Sequence, residues 1–328
     1  MSVRDIEHAI FSIKSEQEFN DLALEIFHFQ VNRNKVYREF IRYAGFLEKD
    51  INHYSNIPFI PIEFFKSHTL YCSGNAPDRI FESSGTTGTQ KSRHAVADIG
   101  LYRKSFIHAF KRFYGDPFSY LFLALLPSYL EQGYSSLVYM ADALIKESRF
   151  ADSGFYLRQD EKLLTLLNRQ DKPTLLLGVS FALLDMAESG KIKPGNKSLI
   201  VMETGGMKGR RREMVREELH DMLKAGFHVS SIHSEYGMTE LLSQAYSSGN
   251  GRFKSPPWMK VLVRDTNDPK TLLQHNKTGG INIIDLANIY SCSFVATQDL
   301  GKTHDDGTFE VLGRFDHSDI RGCNLMVE

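Results

Sequence analysis

The chain has 328 residues, of which 42% are hydrophobic and 24% are charged, as in an ordinary globular protein. Its 39 Lys and Arg residues nearly balance 40 Asp and Glu residues, so no overall field attracts nucleic acid or anionic lipid. Three scattered cysteines are too few for a disulfide framework or a zinc site.

The N-terminus carries acidic residues where a signal peptide needs an apolar stretch. No apolar run approaches the ~20 residues that a membrane-spanning helix requires. The longest one, 119-SYLFLALLPSYL-130, is interrupted by Pro127 and predicts a buried strand. We therefore expect a cytoplasmic protein without a membrane span.

Residues 4–46 are predicted to be helical, because apolar residues recur there at three- and four-residue spacings. The segment 55-SNIPFIPIEFFKSH-68 is predicted to be extended, since Pro58 and Pro61 exclude a helix. The periodic apolar positions of the first segment are Ile6, Ile10, Ile13, Phe19, Leu22, Ile26 and Phe29.

The run 81-FESSGTTGTQKSR-93 has no apolar face and is predicted to be a loop. Its backbone N–H groups, hydroxyls and lysine are suited to surround phosphate oxygens. It differs from a P-loop, because Gln90 stands where that motif needs its second glycine. Composition alone favours a flexible surface loop.

A helix over 98–114 leads into an alternating region. Alternation predicts parallel strands with crossover helices, and ligands at the carboxyl ends of the strands. Strands are predicted near 119–126, 174–179, 198–203 and 227–233, and helices over 136–147, 180–189 and 209–225. The basic run 208-KGRRR-212 is interpreted mainly as the solvated start of the helix over 209–225. The alternative is that it lies near a bound phosphate.

After residue 256 the hydrophobic pattern changes to period two, which predicts antiparallel strands joined by Gly and Asp turns. The predicted fold class is thus a doubly wound α/β body with a β-rich C-terminal part. The segments with this pattern are WMKVLVRD, GGINIIDL, YSCSFVAT and GTFEVLGRF.

Several polar, glycine-bearing loops share a character, and most of them follow an apolar strand. They are 83-SSGTTGTQK-91, 204-TGGMKG-209, 236-YGMTE-240, 297-TQDLG-301 and 313-GRFDHSDIRG-322. In this order they resemble the motifs of the adenylate-forming superfamily of acyl-CoA synthetases, luciferases and peptide-synthetase adenylation domains. A single matching loop would be weak support. Several loops that match in the same order are strong support, because the probability that all of them match by chance is small.

Within that superfamily the chain resembles the LuxE-type acyl-protein synthetases, the activating subunits of bacterial fatty acid reductases. The stretch PIEFFKSH precedes the Ser/Thr/Gly loop, LPSYLEQGYSSLVYM follows it, and a cysteine stands near the end in 320-IRGCNLMVE-328. The resemblance implies one adenylate-forming large domain over 1–328, with a helical region 1–80, a nucleotide-binding body 81–255 and a β-rich part 256–328.

The resemblance also implies that the small C-terminal domain of these enzymes is absent, because only about a dozen residues follow Asp316. That domain supplies a catalytic lysine and helps to build the thiol-binding tunnel. Its absence favours an acyl-protein synthetase over a simple acyl-CoA ligase. A second departure is that Gln90 and Ser92 stand where most members have proline and glycine.

The resemblance implies a role for each matching residue, with ATP and Mg²⁺ as cofactors. Thr239 would donate to the α-phosphate, Glu240 would ligate Mg²⁺, and Tyr236 with Gly237 would lie against the adenine. Asp299 would accept from the ribose hydroxyls, with Arg314 beside it. The phosphates would be held by Ser84, Gly85, Thr86, Thr87, Gly88, Thr89 and Lys91, and Gly205 and Gly206 would bring backbone close to the adenine.

Each residue also has a plainer interpretation. Tyr236 could be a core aromatic, and Glu240 could be a solvated residue at a helix N-terminus. Asp299 could belong to a plain turn, and Arg314 could be a surface arginine. The shared order of the motifs favours the functional roles.

Cys72 and Cys292 are interpreted as small buried residues. Cys323 follows Arg321 and Gly322, where a guanidinium favours the reactive thiolate and glycine leaves the backbone free to move. The resemblance makes Cys323 an acyl acceptor.

The resulting hypothesis is ATP-dependent activation of a fatty or related carboxylic acid to an acyl-adenylate. Acyl transfer to Cys323 and delivery to an acyl reductase or another acceptor would follow. Two alternatives stay open: a non-catalytic nucleotide- or acyl-adenylate-binding subunit, and an acyl-CoA ligase whose small domain comes from another chain.

Overall fold

The computed structural model describes residues 3–84, 90–127, 134–157, 161–169, 172–195, 198–206 and 214–314. The chain forms two compact units. Unit 1 comprises Met1–Ser105, Thr239–Ser243 and Lys254–Glu328, and unit 2 comprises Phe106–Met238 and Gln244–Phe253. The N-terminal helices and the C-terminal strands thus belong to the same unit. The three-region division of one domain stays a prediction.

Helices and strands alternate through the middle of the chain, as predicted. The helices are α1 (Val3–Ile10), α2 (Glu16–Arg33), α3 (Lys35–Tyr43), α4 (Phe64–Ser67), α5 (Ile99–Tyr114), α6 (Ser136–Glu147), α7 (Glu161–Leu167), α8 (Ser180–Glu188) and α9 (Arg216–Phe227). The strands are β1 (Ile60–Pro61), β2 (Arg79–Glu82), β3 (Arg93–Val96), β4 (Leu121–Leu125), β5 (Gly154–Phe155), β6 (Thr174–Val179), β7 (Leu199–Thr204), β8 (His233–Tyr236), β9 (Ala245–Ser247), β10 (Met259–Arg264), β11 (Gly279–Asp285), β12 (Phe294–Thr303) and β13 (Phe309–Arg314).

In unit 1, the C-terminal strands form one sheet in the order β1-β12-β11-β10, with β13 also paired to β12. The pairs β10–β11, β11–β12 and β12–β13 are antiparallel, which confirms the period-two prediction. Strand β1 joins β12 in parallel, with Ile60 beside Val295. The N-terminal segment is therefore built into the C-terminal sheet.

Helices α1 to α3 confirm the helical prediction for the N-terminus. Helix α2 begins after Ser15, whose side chain accepts from the backbone N–H of Glu18. On the inner face of α2, the fully buried Gln30 side chain donates to the carbonyls of Asn288 (3.1 Å) and Ile289 (2.9 Å). Because its amide also accepts from the N–H of Ser293 at 3.0 Å, Gln30 anchors the turn that follows β11.

The extended prediction for 55–68 is correct only for 57–61. Tyr54–Asn56 form a 3-10 helix, and α4 begins at Phe64. Proline restricts its own backbone and that of the preceding residue, but not that of the residues that follow. Helix α4 buries Phe65, whose ring meets the His94 ring edge-on at 5.6 Å between centroids.

The hairpin β2–β3 was not predicted. It is antiparallel, with Glu82 opposite Arg93, and it brackets the Ser/Thr/Gly loop. The run predicted as a loop therefore begins and ends in strands. The N–H of Ser83 donates to the carbonyl of Ser92 at 3.0 Å, which extends the pairing. Residues 85–89 lie outside the described residues.

In unit 2, six strands form a sheet in the order β5-β4-β6-β7-β8-β9. Strands β5, β4, β6, β7 and β8 are parallel, and β9 is antiparallel to β8. This confirms the predicted parallel sheet. The carboxyl ends of β7 and β8 lie side by side, with Thr204 opposite Glu235.

The strand predicted at 227–233 is wrong. Helix α9 runs to Phe227, and His228 ends it in the left-handed conformation with φ 55°. The strand is β8, which begins at His233 and includes Ser234 and Glu235, both predicted to be in a loop. This strand was not predicted because Ser234 and Glu235 are polar residues, although both are buried in the structure.

Within the described residues, α9 starts at Arg216 and ends two residues beyond the predicted helix end. The basic run 208–212 lies outside the described part of the chain. No helix among the described residues has the combined length and apolarity needed to cross a bilayer.

Candidate functional site

In unit 1, the short segment Thr239–Ser243 carries two of the predicted site residues, Thr239 and Glu240. Its far end is held by the buried carboxylate of Asp285, which accepts from the N–H groups of Leu242 (2.7 Å) and Ser243 (3.0 Å) and from the Ser243 hydroxyl (2.5 Å). Burial raises the pKa of Asp285 to about 6, and these donors oppose the rise.

The near end of the same segment is held by two side chains that the sequence did not single out. The Nδ1 of His94 lies 2.7 Å from the carbonyl oxygen of Thr239. The Nδ2 of Asn288 donates to the carbonyl oxygen of Glu240 at 2.8 Å. His94 lies in β3, and Asn288 lies in the turn after β11. Two remote parts of the chain therefore meet at this segment.

The Glu240 side chain is buried, with the residue 6% exposed. Burial raises the pKa of its carboxyl. A hydrogen bond from Ser92, the backbone N–H of Glu240 itself and the charges of Arg314 and Lys66 oppose that rise. The interpretation of Glu240 as a solvated helix residue is therefore wrong. The contact with Ser92 brings the end of the Ser/Thr/Gly loop to Glu240.

The downstream end of the loop is fixed by side-chain contacts. Lys91 Nζ lies 3.8 Å from Glu82 Oε2, and both side chains are partly exposed. Gln90 donates to the carbonyl oxygen of Lys66 at 2.6 Å. At the upstream end, Ser84 is exposed. The two positions that depart from the superfamily pattern, Gln90 and Ser92, thus both make specific contacts.

Asp299 and Arg314 come together in unit 1, as expected from the resemblance. Asp299 lies inside the ten-residue strand β12 rather than in a plain turn. Arg314 is its cross-strand partner on β13. The turn interpretation of Asp299 is therefore wrong, and the pairing of the two residues is a property of the sheet.

In unit 2, the other predicted nucleotide-binding residues follow two adjacent parallel strands. Gly205 and Gly206 follow β7 and are exposed, and Gly205 has φ +74°, a conformation that glycine adopts at little cost. Tyr236 ends β8, and Gly237 follows it. The four residues thus lie at the same edge of the sheet, where ligands bind in such folds.

Tyr236 is half-buried rather than part of the core. Its ring packs against Phe253, with 5.8 Å between the centroids. The guanidinium of Arg216 lies 5.0 Å from the centroid of the same Phe253 ring and 3.2 Å from Glu203 Oε1. This chain of contacts links Tyr236 through Phe253 and Arg216 to Glu203.

Glu203 is a buried carboxylate beneath this edge. Burial raises its pKa, but His220, Arg216 and Ser234 outweigh burial and hold the pKa below its ordinary value. Ser180 donates to the second carboxylate oxygen at 3.1 Å. Glu203 is therefore ionised and neutralises Arg216.

Glu235 is a second buried carboxyl that sequence reasoning missed. The Thr204 hydroxyl donates to its Oε2 at 2.5 Å. Burial, with the nearby charge of Glu203, raises the pKa of Glu235 to about 7. A Cβ at Gly237 would lie 2.3 Å from Glu235 Oε1, so a larger residue there would displace that carboxyl. In the sequence, Glu235 is marked only by its position directly before Tyr236 and Gly237.

The cysteines of the described chain are both buried. Cys72 and Cys292 are free and buried, as predicted. Burial raises both thiol pKa values, that of Cys292 to about 12. Cys323 lies outside the described residues.

Among the described residues, no group of three or more His, Cys, Asp and Glu side chains could hold a metal ion. Mg²⁺ in phosphate-binding sites takes one or two carboxylates and completes its shell with phosphate oxygens and water. The single carboxylate of Glu240 fits that pattern of Mg²⁺ binding.

Solved structures of similar fold include two kinds of ligase. One is an open conformation of 2-hydroxyisobutyryl-CoA ligase in complex with 2-HIB-AMP and CoA, with a TM-score of 0.68 and 13% identity, covering 92% of this chain and 71% of that chain. Another is ATP-bound MatB from Rhodopseudomonas palustris, with a TM-score of 0.52 and 18% identity, covering 73% of this chain and 49% of that chain. An ATP-bound RpMatB-BxBclM chimera has a TM-score of 0.54 and 19% identity, covering 73% of this chain and 49% of that chain.

These likenesses confirm the predicted fold class, the α/β large domain of the adenylate-forming fold. The chain spans about half the length of MatB and of the chimera. No protein-family model and no curated protein sequence matches the chain.

Proposed function

We propose that this chain activates a carboxylic acid with ATP and Mg²⁺, forming an acyl-adenylate, and that the acid is a fatty or related acid. The observation that carries the proposal is the meeting of two predicted motifs within unit 1. Ser92, at the end of the Ser/Thr/Gly loop, lies beside Glu240, and His94, just beyond the loop in β3, contacts Thr239. A phosphate-binding loop and a metal-ligating carboxylate must lie together in order to act on the same polyphosphate.

The chemistry requires little covalent work from the protein. A carboxylate oxygen of the acid attacks the α-phosphorus, the bond to the bridging oxygen breaks, and pyrophosphate leaves with the electron pair. The residues of the chain orient the reactants and neutralise charge. Lys91 and the loop would face the phosphates, and Thr239 would donate to the α-phosphate. Mg²⁺, when bound at Glu240, supplies positive charge against the phosphate oxygens.

The second half of the proposal is acyl transfer to Cys323. Its thiolate attacks the acyl carbonyl, a thioester forms, and AMP leaves with the electrons of the broken C–O bond. A partner acyl reductase or another acceptor would then receive the acyl group. This half is supported by the resemblance to LuxE-type acyl-protein synthetases, which makes the chain an AMP-forming acid–thiol ligase that acts on a protein thiol.

The first test is acid-dependent ATP–pyrophosphate exchange with a panel of short, hydroxylated and long-chain acids. We expect stimulation by at least one acid, with long-chain acids the most effective. If no acid stimulates exchange or pyrophosphate release, the enzyme proposal fails.

An acyl-CoA ligase is a second candidate, because a structural neighbour of high coverage is a CoA ligase bound to an acyl-AMP and CoA. A non-catalytic binding subunit is the third. Mass spectrometry after incubation with ATP, acid and CoA separates the three. A covalent acyl adduct supports the synthetase, free acyl-CoA supports the ligase, and nucleotide binding without either product supports the binding subunit.

A further inference from the structure

We infer that His94 and Asn288 are positioning residues, which hold the Thr239–Glu240 backbone in the geometry that adenylation needs. The inference rests on the proposed function of Thr239 and Glu240. Neither His94 nor Asn288 belongs to a sequence motif that pointed to function. They act on the backbone of the site rather than on a ligand.

The two side chains lie side by side, and each donates to a backbone carbonyl of the segment. A carbonyl oxygen only accepts, so the contact of 2.7 Å between His94 Nδ1 and the Thr239 oxygen places the ring proton on Nδ1. Asn288 donates from Nδ2 to the oxygens of Glu240 (2.8 Å) and Cys292 (2.9 Å). Its Oδ1 lies 3.0 Å from His94 Nε2, which is an acceptor while the ring proton is on Nδ1, so this contact is not a hydrogen bond. Consecutive carbonyls of the site are therefore held by two adjacent side chains, each through its own donor.

Both side chains are almost completely buried, each 1% exposed. Burying polar groups costs free energy unless they are hydrogen-bonded. The hydrogen-bonded groups are the backbone of the candidate site. A role in shaping that backbone accounts for the polar residues.

The surroundings fix the segment further. Ser92, two residues before His94, lies beside the Glu240 carboxyl and opposes the rise of its pKa. Asp285, three residues before Asn288, holds the N–H groups of Leu242 and Ser243. The segment is thus held at its carbonyls and at its amides. Such rigidity is typical of sites where a displacement of about 1 Å is costly to the reaction.

Two variants of His94 separate positioning from packing. The Nδ2 of an asparagine reaches the place of the histidine Nδ1, so His94→Asn keeps the donor to Thr239. The amide nitrogen of a glutamine reaches the place of Nε2, so His94→Gln loses that donor. Asn288→Asp provides an independent variant, because it keeps the shape and removes both donated hydrogen bonds.

The measurements are kcat and KM in ATP–pyrophosphate exchange, the melting temperature, and amide hydrogen exchange of residues 237–243 in the ligand-free protein. We expect His94→Gln and Asn288→Asp to lower kcat by about ten-fold or more with the KM for the acid unchanged. Both should raise amide exchange in 237–243. His94→Asn should stay close to wild type in both measurements.

Unchanged amide exchange in 237–243 in all three variants overturns the inference, whatever the activity. Equal losses of melting temperature in His94→Gln and His94→Asn, with wild-type kcat in the folded fraction, also overturn it. If the wild-type protein catalyses no exchange with any acid, the proposed function fails. The hydrogen-exchange pattern then still decides whether His94 and Asn288 hold the segment.

Discussion

Asp299 and Arg314 face each other across β12 and β13, with Arg314 Nε 3.3 Å from Asp299 Oδ1. Their environments differ, because the Arg314 side chain is 80% exposed and that of Asp299 only 10%. An ion pair so open to water stabilises a protein by about 1 kcal/mol or less. The buried carboxylate is therefore the better candidate for a specific hydrogen-bonding role, and the arginine is an exposed partner.

Asp299→Ala is expected to raise the KM for ATP by about ten-fold or more, because one charged hydrogen bond to a ligand is worth about 1.5–3 kcal/mol. Arg314→Ala should leave the melting temperature nearly unchanged and raise the KM for ATP less. Exchange kinetics and thermal melts of both variants check this. A wild-type KM in Asp299→Ala would contradict the ribose-binding role.

Glu240→Gln is expected to abolish most pyrophosphate release, because a neutral amide is a poor ligand for a hard divalent cation. The folded protein should keep or slightly raise its melting temperature, since burial disfavours the ionised carboxylate of Glu240. Pyrophosphate release at limiting Mg²⁺ and a thermal melt measure the two effects. Full activity of the variant under those conditions would rule out the ligand assignment.

Lys91→Ala is expected to weaken the use of ATP while the apparent affinity for the acid stays the same, because charge-assisted hydrogen bonds to phosphate are among the strong ones. Lys146→Ala is the matched control, since Lys146 also pairs with an exposed carboxylate, that of Asp142 at 2.6 Å. The control should behave as wild type in exchange kinetics. A change in acid affinity alone would show that Lys91 is misplaced in the proposal.

Glu235→Gln tests the raised pKa of the buried Glu235 carboxyl through the pH dependence of the unfolding free energy. The pKa of Glu235 is raised in the folded protein from 4.5 to about 7, so the folded state binds more protons than the unfolded state in that range. The contribution of Glu235 to the unfolding free energy is complete below about pH 4.5 and is lost as the pH rises through about 7. The glutamine variant should gain about 3 kcal/mol over the wild type between these limits.

The measurement is the unfolding free energy of both proteins by denaturant titration at pH 4.5, 6 and 8. The difference between them isolates Glu235 from other titrating groups, among them Asp285. A difference that does not grow with pH would show that Glu235 has an ordinary pKa.

Cys323→Ser is expected to preserve acid-dependent exchange and to abolish acyl labelling that hydroxylamine removes. The reason is that only a thiolate forms the thioester, whereas adenylation needs no thiol. Cys72→Ala serves as the control, because that thiol is buried and its pKa is raised. Labelling at full strength in Cys323→Ser would show that another residue accepts the acyl group.

Much of the architecture could be predicted because its signals are local. The helix at 136–147 and the strand at 174–179 follow from the spacing of apolar residues, and the structure has both at these bounds. Strand β8 was misplaced because burial of Ser234 and Glu235 depends on their neighbours rather than on their polarity. The hairpin β2–β3 was missed because its strands are only four residues long.

The sequence by itself determined the alternation of strands and helices and the order of the polar loops, since periodicity and loop composition are properties of neighbouring residues. Only the tertiary structure decided which side chains hold those loops. His94 and Thr239 are 145 residues apart, and Asp285 and Leu242 are 43 apart, and nothing local marks these pairs. Buried backbone N–H and C=O groups must find partners, and which partner each finds is decided only when remote segments pack together.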